Sequence, residues 1–340
     1  MPDNLKPTQT ESMAVIETLS GDQALSPRRR SAVTAVVDLG IVFAFVALVA
    51  IGVAVVPGFA SSGNVRAILF DSAFLGIVAI GMTFVTVSGN FLDLSVVAQV
   101  GTAAVVVIVV GQYGLWLGIL AAIASTLPFA AANALGVGVM RANGVVVTLA
   151  VQTSGLGILL YLTGGAQYNM TSTWLNGFAT SFIGPLPWVF VIMLLIGVSA
   201  EFVLQRTNLG LSIRSLGSQR EASRAAGVGV YRTVFGTYAL VAVACAIAGI
   251  LLAGFNNNAL PSIGTGFDFN ALAAVIIGGT SLFGGRGSVM RTVVGVLFVA
   301  TLLNMSILIG LPFEWQQFVK GLIIVVAVAS DALLRKRGAR

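Results

Sequence analysis

The sequence predicts an all-α membrane protein: a polytopic bundle of transmembrane helices, some of them short or broken. Hydrophobic residues make up 57% of the 340 residues and charged residues only 9%, whereas soluble domains carry roughly 25% charged residues. The longest apolar runs reach about 20 residues, the length of a helix that spans a bilayer. A transmembrane barrel would instead show alternating segments of about ten residues.

Ten apolar segments are predicted, and most of them are near the length that a spanning helix needs. The eighth has 14 residues, which predicts a half-helix or a span continued by irregular backbone that faces protein or water. We expect a disordered cytoplasmic tail over 1–32 without a cleaved signal, a transmembrane domain over 33–334 and a basic cytoplasmic tail over 335–340. The ten segments are 33–56, 66–88, 95–111, 114–135, 144–163, 187–204, 233–255, 269–282, 289–309 and 316–334.

The basic residues predict the orientation of these segments. If residue 1 is cytoplasmic and every segment crosses, 16 of the 18 Lys and Arg residues lie in cytoplasmic stretches, and only Arg66 and Lys320 lie outside. This bias follows the positive-inside rule and places both termini in the cytoplasm. The net charge of +6 is then explained by the position of these residues at the membrane and their contact with lipid. Binding of nucleic acid is not needed to explain it. Segments two to five and seven to ten then have opposite topology, which predicts an inverted repeat.

Composition excludes several kinds of chemistry. The chain has no histidine and one cysteine, so zinc sites of the His/Cys type, histidine-based nucleophilic catalysis and a disulfide within the chain are excluded. None of its three lysines completes a Walker A loop, and no soluble stretch is long enough for a nucleotide-binding domain. We therefore predict no catalytic residue, no bound cofactor and no metal site. An enzyme that acts on lipid is a weak alternative, because paired carboxylates are also missing.

Residues 205–232 form the most charged stretch between apolar segments, with five arginines. Ser218 is placed to be an N-cap and Glu221 to close a capping box with it. Gly227 stands where a glycine stop is expected, which predicts a helix over 218–226. The stretch is either a loop that only fixes orientation or a docking helix for a soluble partner.

Two spans are interrupted by polar residues. SGNFLDLS at 88–95 precedes one apolar segment, where Asp93 or Ser95 could cap the next helix. NNNALPSIGTGFDFN at 256–270 precedes the short eighth segment, and GGTSLFGGRGS at 278–288 follows it. Broken helices with amide and hydroxyl side chains suit a neutral polyhydroxylated solute, although turn and capping chemistry explains them equally well. The candidate pathway residues are Asn90, Asp93, Ser95, Gln99, Gln152, Asn256, Phe267, Asp268 and Asn270.

Other polar residues carry weaker predictions. Asp38, Asp71 and Glu201 lie near segment ends, where water can reach them, so the functional role expected of acids within the membrane is less supported. Asn304 lies within the ninth segment and is more simply expected to bond a neighbouring helix than a substrate.

Several runs resemble the ribose-type permease family of bacterial ABC importers. AVIIGGTSLFGGRGS at 274–288 resembles its signature, and FLDLSV at 91–96 resembles its IDLSVG motif. Asn90, Phe91 and Val97 depart from the glycine-rich form of that motif, which leaves the substrate open. Three further runs resemble the family's fifth helix, cytoplasmic loop and last helix: VTLAVQTSGLGILLYLTGG at 147–165, RTNLGLSIRSLGSQREASRAAGV at 206–228 and WQQFVKGLIIVVAV at 315–328.

The resemblance implies partners and roles. Two permease subunits, identical or paralogous, would form a path across the bacterial inner membrane. Two separate ATPase subunits, which use ATP and Mg²⁺, would dock beneath them, and a periplasmic binding protein would deliver a sugar. The stretch 205–232 would then be the coupling loop. The implied ATPase-coupling residues are Ser218, Gln219, Arg220, Glu221, Arg224 and Gly227, with Arg286 in a second cytoplasmic turn.

Two other functions remain open from the residues. A related ABC permease for nucleosides or branched-chain amino acids is the nearest. The spans offer no central Lys or Arg to hold an amino-acid carboxylate, which favours a neutral solute. An ion-coupled secondary transporter belongs to a different class and needs an acid within the membrane. Asp93 is the candidate for that role.

Overall fold

The computed structural model describes residues 27–90, 92–170, 173–312, 314–319, 321–322 and 325. The predictions for 1–26, for the basic tail 335–340 and for most of the tenth segment lie outside these residues. The chain divides into a unit of residues 1–40 and a unit of residues 41–340. In the first unit the structure describes the beginning of a helix that starts at Pro27, so residues 27–32 of the predicted tail are helical. The following description concerns the second unit.

Helices make up most of the described chain, joined by turns and four very short strands. Strand β1 pairs antiparallel with β4, and β2 with β3. The helices are α1 Pro27–Val55, α2 Ser62–Val87, α3 Val96–Gly111, α4 Leu115–Ala134 with a π-helical continuation Leu135–Val139, α5 Gly144–Thr163, α6 Thr173–Thr180, α7 Trp188–Arg206, α8 Asn208–Ser218, α9 Arg220–Ala225, α10 Val230–Asn256, α11 Phe267–Ile277 and α12 Val289–Leu308. The strands are β1 Tyr168–Asn169, β2 Phe182–Ile183, β3 Leu186–Pro187 and β4 Asn258–Ala259.

Six helices in the described part of the chain are long and apolar enough to cross a membrane: α2, α4 with its continuation, α5, α7, α10 and α12. Residues 40–55, α3 and α11 are shorter apolar helices. The prediction of an all-α, polytopic membrane protein is confirmed. The count of ten segments, the cytoplasmic position of the termini and the inverted repeat remain predictions. The eighth predicted segment is an 11-residue helix, α11, followed by turns.

Helices α2 and α10 form the centre of the bundle. Both are mostly buried, whereas only 11% of the apolar window of α5 and 28% of that of α7 is buried. Small residues bring α2 and α10 together, because a side chain at Gly81 would begin 2.9 Å from the Ala244 Cβ and 3.0 Å from the Val241 Cα. Close backbone contact of this kind is how helices gain dispersion energy in lipid, where apolar surface alone provides no attraction.

The connecting segments gather at two opposite ends of α2 and α10. At one end, β1 and β4 pair beside the last residue of α10. At the other end, residues 87–89 contact residue 217 and residues 283–285. We call the first the outer end and the second the inner end, following the sides that the sequence predicts for them.

Candidate functional site

Three backbone segments meet at the inner end: the residues after α2, the end of α8 and the turn 284–287. The Gly285 N–H donates to the Val87 carbonyl at 2.8 Å. A Cβ at Gly284 would lie 2.6 Å from the Gly89 Cα and 2.9 Å from the Gly217 Cα. Gly89 and Gly284 also have φ of 79° and 88°, a region that favours glycine. We call Gly89, Gly217 and Gly284 the glycine junction.

The predicted capping box at the start of α9 is wrong. Ser218 is the last residue of α8, and its hydroxyl donates back to the Arg214 carbonyl at 2.9 Å. Gln219 is the N-cap of α9, without a side-chain capping bond. The serine is used by the preceding helix because that helix continues to residue 218, so α9 is shorter than the predicted 218–226.

The predicted glycine stop of α9 is confirmed. Gly227 has φ of 83°. Its N–H donates to the Arg224 carbonyl at 3.0 Å, and the Val228 N–H donates to the Ser223 carbonyl at 3.0 Å. This pair of bonds is a Schellman motif, which satisfies the last carbonyls of a helix. The short helix therefore has a well-defined end.

The predicted coupling residues lie together at the inner end. Ser218 contacts the second turn, since a Cβ at Gly285 would lie 2.6 Å from its hydroxyl oxygen. Arg220 is half-buried and donates to the Val137 carbonyl at 3.0 Å, on the π-helical continuation of α4. The remaining members are exposed: Gln219, Glu221, Arg224, Gly227 and Arg286.

Three apolar side chains on the segments that meet at the inner end are exposed. Met140 is 77%, Leu211 68% and Phe283 51% exposed. Exposed apolar groups surrounded by polar ones often mark a surface that contacts another protein. The inner end thus combines charged and apolar groups in a way that suits a protein partner.

A buried polar cluster forms where α3 begins. The Ser95 N–H donates to Asp93 Oδ1 at 2.8 Å, while the Ser95 hydroxyl makes no capping bond to the helix. The Gln99 amide donates to Ser95 Oγ at 2.8 Å and to Asp93 Oδ2 at 3.2 Å. Asn133 from α4 donates to Ser95 Oγ at 2.8 Å and to Asp93 Oδ1 at 3.3 Å. All four side chains are fully buried.

The sequence analysis missed Asn133, although an asparagine within an apolar helix is a usable signal. The Asp93 carboxylate accepts its hydrogen bonds from neutral donors, the Ser95 N–H and the amides of Gln99 and Asn133. Gln99 Oε1, Asn133 Oδ1 and the buried Tyr238 hydroxyl have no hydrogen-bond partner in the described residues. Asn90 lies nearby at the end of α2, where its amide donates to the Ser88 hydroxyl at 2.8 Å.

A cavity of about 270 Å³ opens in the outer half of the bundle. It contains three predicted pathway residues, Asn256, Phe267 and Asn270. We call it the outer cavity. Its lining residues come from α2, α10, the loop before α11, α11, α12 and the helical residues 314–319: Asp71, Phe74, Leu75, Leu252, Asn256, Ile263, Phe267, Asn270, Ala300, Leu303, Asn304, Ile307 and Gln316.

Two predicted pathway residues lie elsewhere. Asp268 is buried, and its carboxylate accepts from the Phe269 N–H at 2.9 Å. Gln152 is half-buried on α5, and its Oε1 has no partner among the described residues. The loop before α11 nevertheless packs on the first turn of α3, because a Cβ at Gly264 would lie 3.0 Å from the Val97 carbonyl oxygen. Seven of the nine residues thus form an inner group of four and an outer group of three, and Asp268 and Gln152 belong to neither.

Glu201 joins two helices at the inner end. Its carboxylate accepts from the Ser288 hydroxyl at 2.9 Å and from the Val289 N–H, the first N–H of α12. Gln205 also donates to it. An acid at a helix N-terminus interacts favourably with the free N–H groups there. This contact explains an acid that the sequence placed only at a segment end.

A family model described as "Branched-chain amino acid transport system / permease component" matches residues 64–328. The chain belongs to this permease family. The ribose import permease RbsC of Escherichia coli K12 is 31% identical to it over 322 residues, which cover 91% of this chain and 98% of that protein. The L-arabinose permease AraH of the same strain is 31% identical, covering 83% and 86%, and the xylose permease XylH is 29% identical, covering 82% and 86%. No solved structure matches at a significant level.

These similarities confirm the resemblance to ribose-type permeases. They identify a multi-pass integral membrane protein of a transport family, whose named relatives are transport permeases. Within the described residues, no group of three His, Cys, Asp or Glu side chains could hold a metal ion. Of the alternatives left open by the sequence, the sugar permease is the one that the relatives favour.

Proposed function

We propose that this chain is the membrane-spanning subunit of an ABC importer in the bacterial inner membrane, and that it carries a monosaccharide into the cell. The relatives named above are permeases for ribose, L-arabinose and xylose, which are all neutral pentoses. The outer cavity supports a neutral solute. None of the described residues that line it is Lys or Arg, and its carboxylate, Asp71, would repel the carboxylate of an amino acid.

The observation that carries this proposal is the arrangement of the inner end. The capped helix α9 and the turn 284–287 lie side by side there and present Glu221, Arg224 and Arg286 to solvent. Because the chain has no Walker A loop of its own, a separate ATPase with ATP and Mg²⁺ supplies the energy, and this surface is its docking site. A binding protein in the periplasm delivers the sugar to the outer end. A second permease, identical or paralogous, completes the path.

The same contacts provide a route from the docking surface to the interior. Arg220 of α9 bonds the Val137 carbonyl, and Asn133 lies one turn earlier on the same helix, α4. Asn133 bonds Asp93 and Ser95 at the start of α3. Movement of α9 by the ATPase thus shifts the cluster that holds α3 and α4 together. ATP binding then biases an equilibrium between outward-open and inward-open states.

The test of docking is a charge reversal at Glu221. In the importer reconstituted with its ATPase and binding protein, Glu221→Arg should lower sugar uptake at least roughly tenfold, the effect of losing about 1.4 kcal/mol of coupling. The permease should remain in the membrane at its normal level. Glu221→Gln removes the charge without reversing it and should lose less. Full uptake by Glu221→Arg would contradict the docking role.

A second variant tests the shape of α9. Gly227→Val places a branched side chain on a left-handed backbone, a conformational strain of order 1–3 kcal/mol. The new side chain itself would meet no neighbour among the described residues. Uptake should fall while binding of the ATPase weakens in a pull-down assay.

If uptake persists after deletion of the ATPase and follows a proton or sodium gradient, the chain is an ion-coupled transporter instead.

The transported sugar is found by uptake of radiolabelled ribose, L-arabinose and xylose by the reconstituted importer. We expect uptake of at least one of them, dependent on ATP and on the binding protein. Leucine and a nucleoside serve as control solutes for the two alternative permease classes. Uptake of leucine without uptake of any sugar would contradict the monosaccharide assignment.

A further inference from the structure

We propose that the outer cavity is a binding site of the permease itself for a single sugar ring, with Asp71, Asn256, Asn270 and Asn304 as its hydrogen-bonding groups. This inference rests on the proposed function, since it names the place where the sugar binds after the binding protein releases it. Its volume of about 270 Å³ is just below the range of about 300–1,000 Å³ for small-molecule sites. That size suits one sugar ring rather than a longer saccharide.

The first argument is the unused hydrogen-bonding capacity of the lining. Asn304 is only 8% exposed, and its amide nitrogen donates to Asn64 Oδ1 at 2.9 Å. Its Oδ1 has no partner in the described residues. A buried amide oxygen without a partner is costly, on the order of 1–3 kcal/mol, unless something else donates to it. The oxygen is closed to a molecule the size of water, so a ligand hydroxyl in the cavity can donate to it once the Asn304 side chain turns toward the cavity.

Three other lining groups also have unused hydrogen-bonding capacity, although Asp71 and Asn256 are exposed and Asn270 is half-buried. Within the part of the chain that the structure describes, the side chains of Asp71, Asn256 and Asn270 make no hydrogen bond or ion pair. Asp71 can only accept hydrogen bonds when ionised, whereas each amide can both donate and accept. Sugar hydroxyls also donate and accept, so neighbouring hydroxyls of one ring can satisfy the acid and the amides together.

Aromatic and aliphatic surface completes the match. Phe74 and Phe267 line the cavity beside the polar groups, and the C–H faces of a sugar ring pack on such surface. A metal cation is a poorer fit, because Asp71 is the one carboxylate among the described lining residues. An anionic solute is disfavoured by the same carboxylate. The combination of one acid, several amides and aromatic rings points to a neutral polyhydroxylated ligand.

The depth of the cavity gives it a role in the transport cycle. Asp71 lies nine residues after the start of α2, which places it about 13 Å along that helix at 1.5 Å per residue. The backbone at the opposite end of the same helix is closed by the glycine junction. A sugar in the cavity is therefore accessible from the outer side and separated from the inner side, as an outward-facing state requires.

The test uses cysteine protection, since the chain has a single cysteine, Cys245, that is fully buried. Asn270→Cys and Asn256→Cys each place a thiol in the cavity, and Asn169→Cys places one on exposed strand β1 as a matched control. The full-length permease, in complex with its ATPase, is labelled with a small membrane-impermeant thiol reagent. The protecting ligand is whichever sugar the wild-type importer takes up.

We expect the transported sugar at millimolar concentration to slow labelling of Asn270→Cys at least roughly threefold. This is the factor expected when the sugar occupies about two-thirds of the sites. Labelling of Asn169→Cys should not change. If labelling at both cavity positions is unaffected by a sugar that the wild-type importer takes up, this inference is overturned while the proposed function stands. If the wild-type importer takes up no sugar, the proposed function fails first.

Uptake provides an independent measurement. Asn270→Leu should lower uptake roughly tenfold, as expected for the loss of one or two hydrogen bonds of about 1 kcal/mol each. Thr153→Val is the control, because the Thr153 hydroxyl is exposed on α5 and donates only to the Leu149 carbonyl of its own helix at 2.9 Å. Equal uptake by Asn270→Leu and wild type would contradict a role for the cavity.

Discussion

The inner and outer ends of this bundle are built in opposite ways. At the inner end, backbone packs directly on backbone at the glycine junction, and Glu201 and Asp93 are each held by several donors. At the outer end, α2, α10, α11 and α12 leave a cavity, and several polar groups on its walls have no partner among the described residues.

The contrast separates polar residues that hold the fold from polar residues available to a ligand. The inner cluster keeps unpartnered amide oxygens on Gln99 and Asn133, but its carboxylate accepts several hydrogen bonds, whereas the Asp71 carboxylate of the outer cavity accepts none from the described residues. Buried polar networks rigidify a structure where their groups are bonded. A permease needs both properties, because a rigid inner end transmits the movement of an ATPase and an open outer end accepts a solute. Stability measurements on variants at the two ends can therefore test the comparison directly.

The largest effect is expected from Gly217→Ala. The new methyl group would overlap the Val87 carbonyl oxygen and lie 2.5 Å from the Gly285 nitrogen, and backbone atoms on both sides cannot turn away as a side chain can. We expect a loss of about 3 kcal/mol or more, measured as the thermal unfolding of the purified permease in detergent. Gly157→Ala is the control, since a Cβ at this helical position meets nothing within 4 Å in the described residues. A Gly217→Ala protein as stable as wild type would contradict the tight junction.

Asp93→Ala should have the second largest effect. It removes the acceptor of the Ser95 N–H and of two amides inside a fully buried cluster. Leaving such donors unsatisfied costs about 1–3 kcal/mol. Asp93→Asn keeps the shape and one acceptor oxygen, so it should lose less stability in the same unfolding assay. Equal losses for the two variants would show that the shape and the single oxygen that Asn retains do not maintain the cluster, against this expectation.

Glu201→Ala should cost about 1–2 kcal/mol, because it removes an acceptor from the first N–H of α12 and from the Ser288 hydroxyl. Ser288→Ala removes only the hydroxyl and leaves the bond to the Val289 N–H, so its loss should be smaller. Thermal unfolding of both variants measures the difference. A larger loss in Ser288→Ala would mean that the serine, not the carboxylate, fixes the start of α12.

The smallest effect on stability is expected at the outer end. Asn270→Leu removes a side chain that makes no hydrogen bond within the described residues, so its free energy of unfolding should stay within about 0.5 kcal/mol of wild type. The same variant should lose uptake, as described above. A large loss of stability would mean that the outer cavity is a structural element like the inner end.

Much of the architecture was predictable because hydropathy and helix length are local properties. The apolar segments predicted all-α structure, and the interrupted eighth segment predicted the short helix α11. The glycine stop at Gly227 was predictable for the same reason, since the motif lies within a few residues. The capping box was not, because whether Ser218 serves α8 or α9 depends on where α8 ends.

The sequence by itself determined that this chain is a helical membrane protein with a short charged helix between spans, because each of these features is encoded in neighbouring residues. The tertiary structure alone decided which distant residues meet. Asn133 reaches Asp93 across 40 positions, and Glu201 reaches Val289 across 88. The glycine junction and the outer cavity are likewise built from separate helices. Such contacts follow from packing, in which a residue's partner is set by the helix beside it and not by its place in the chain.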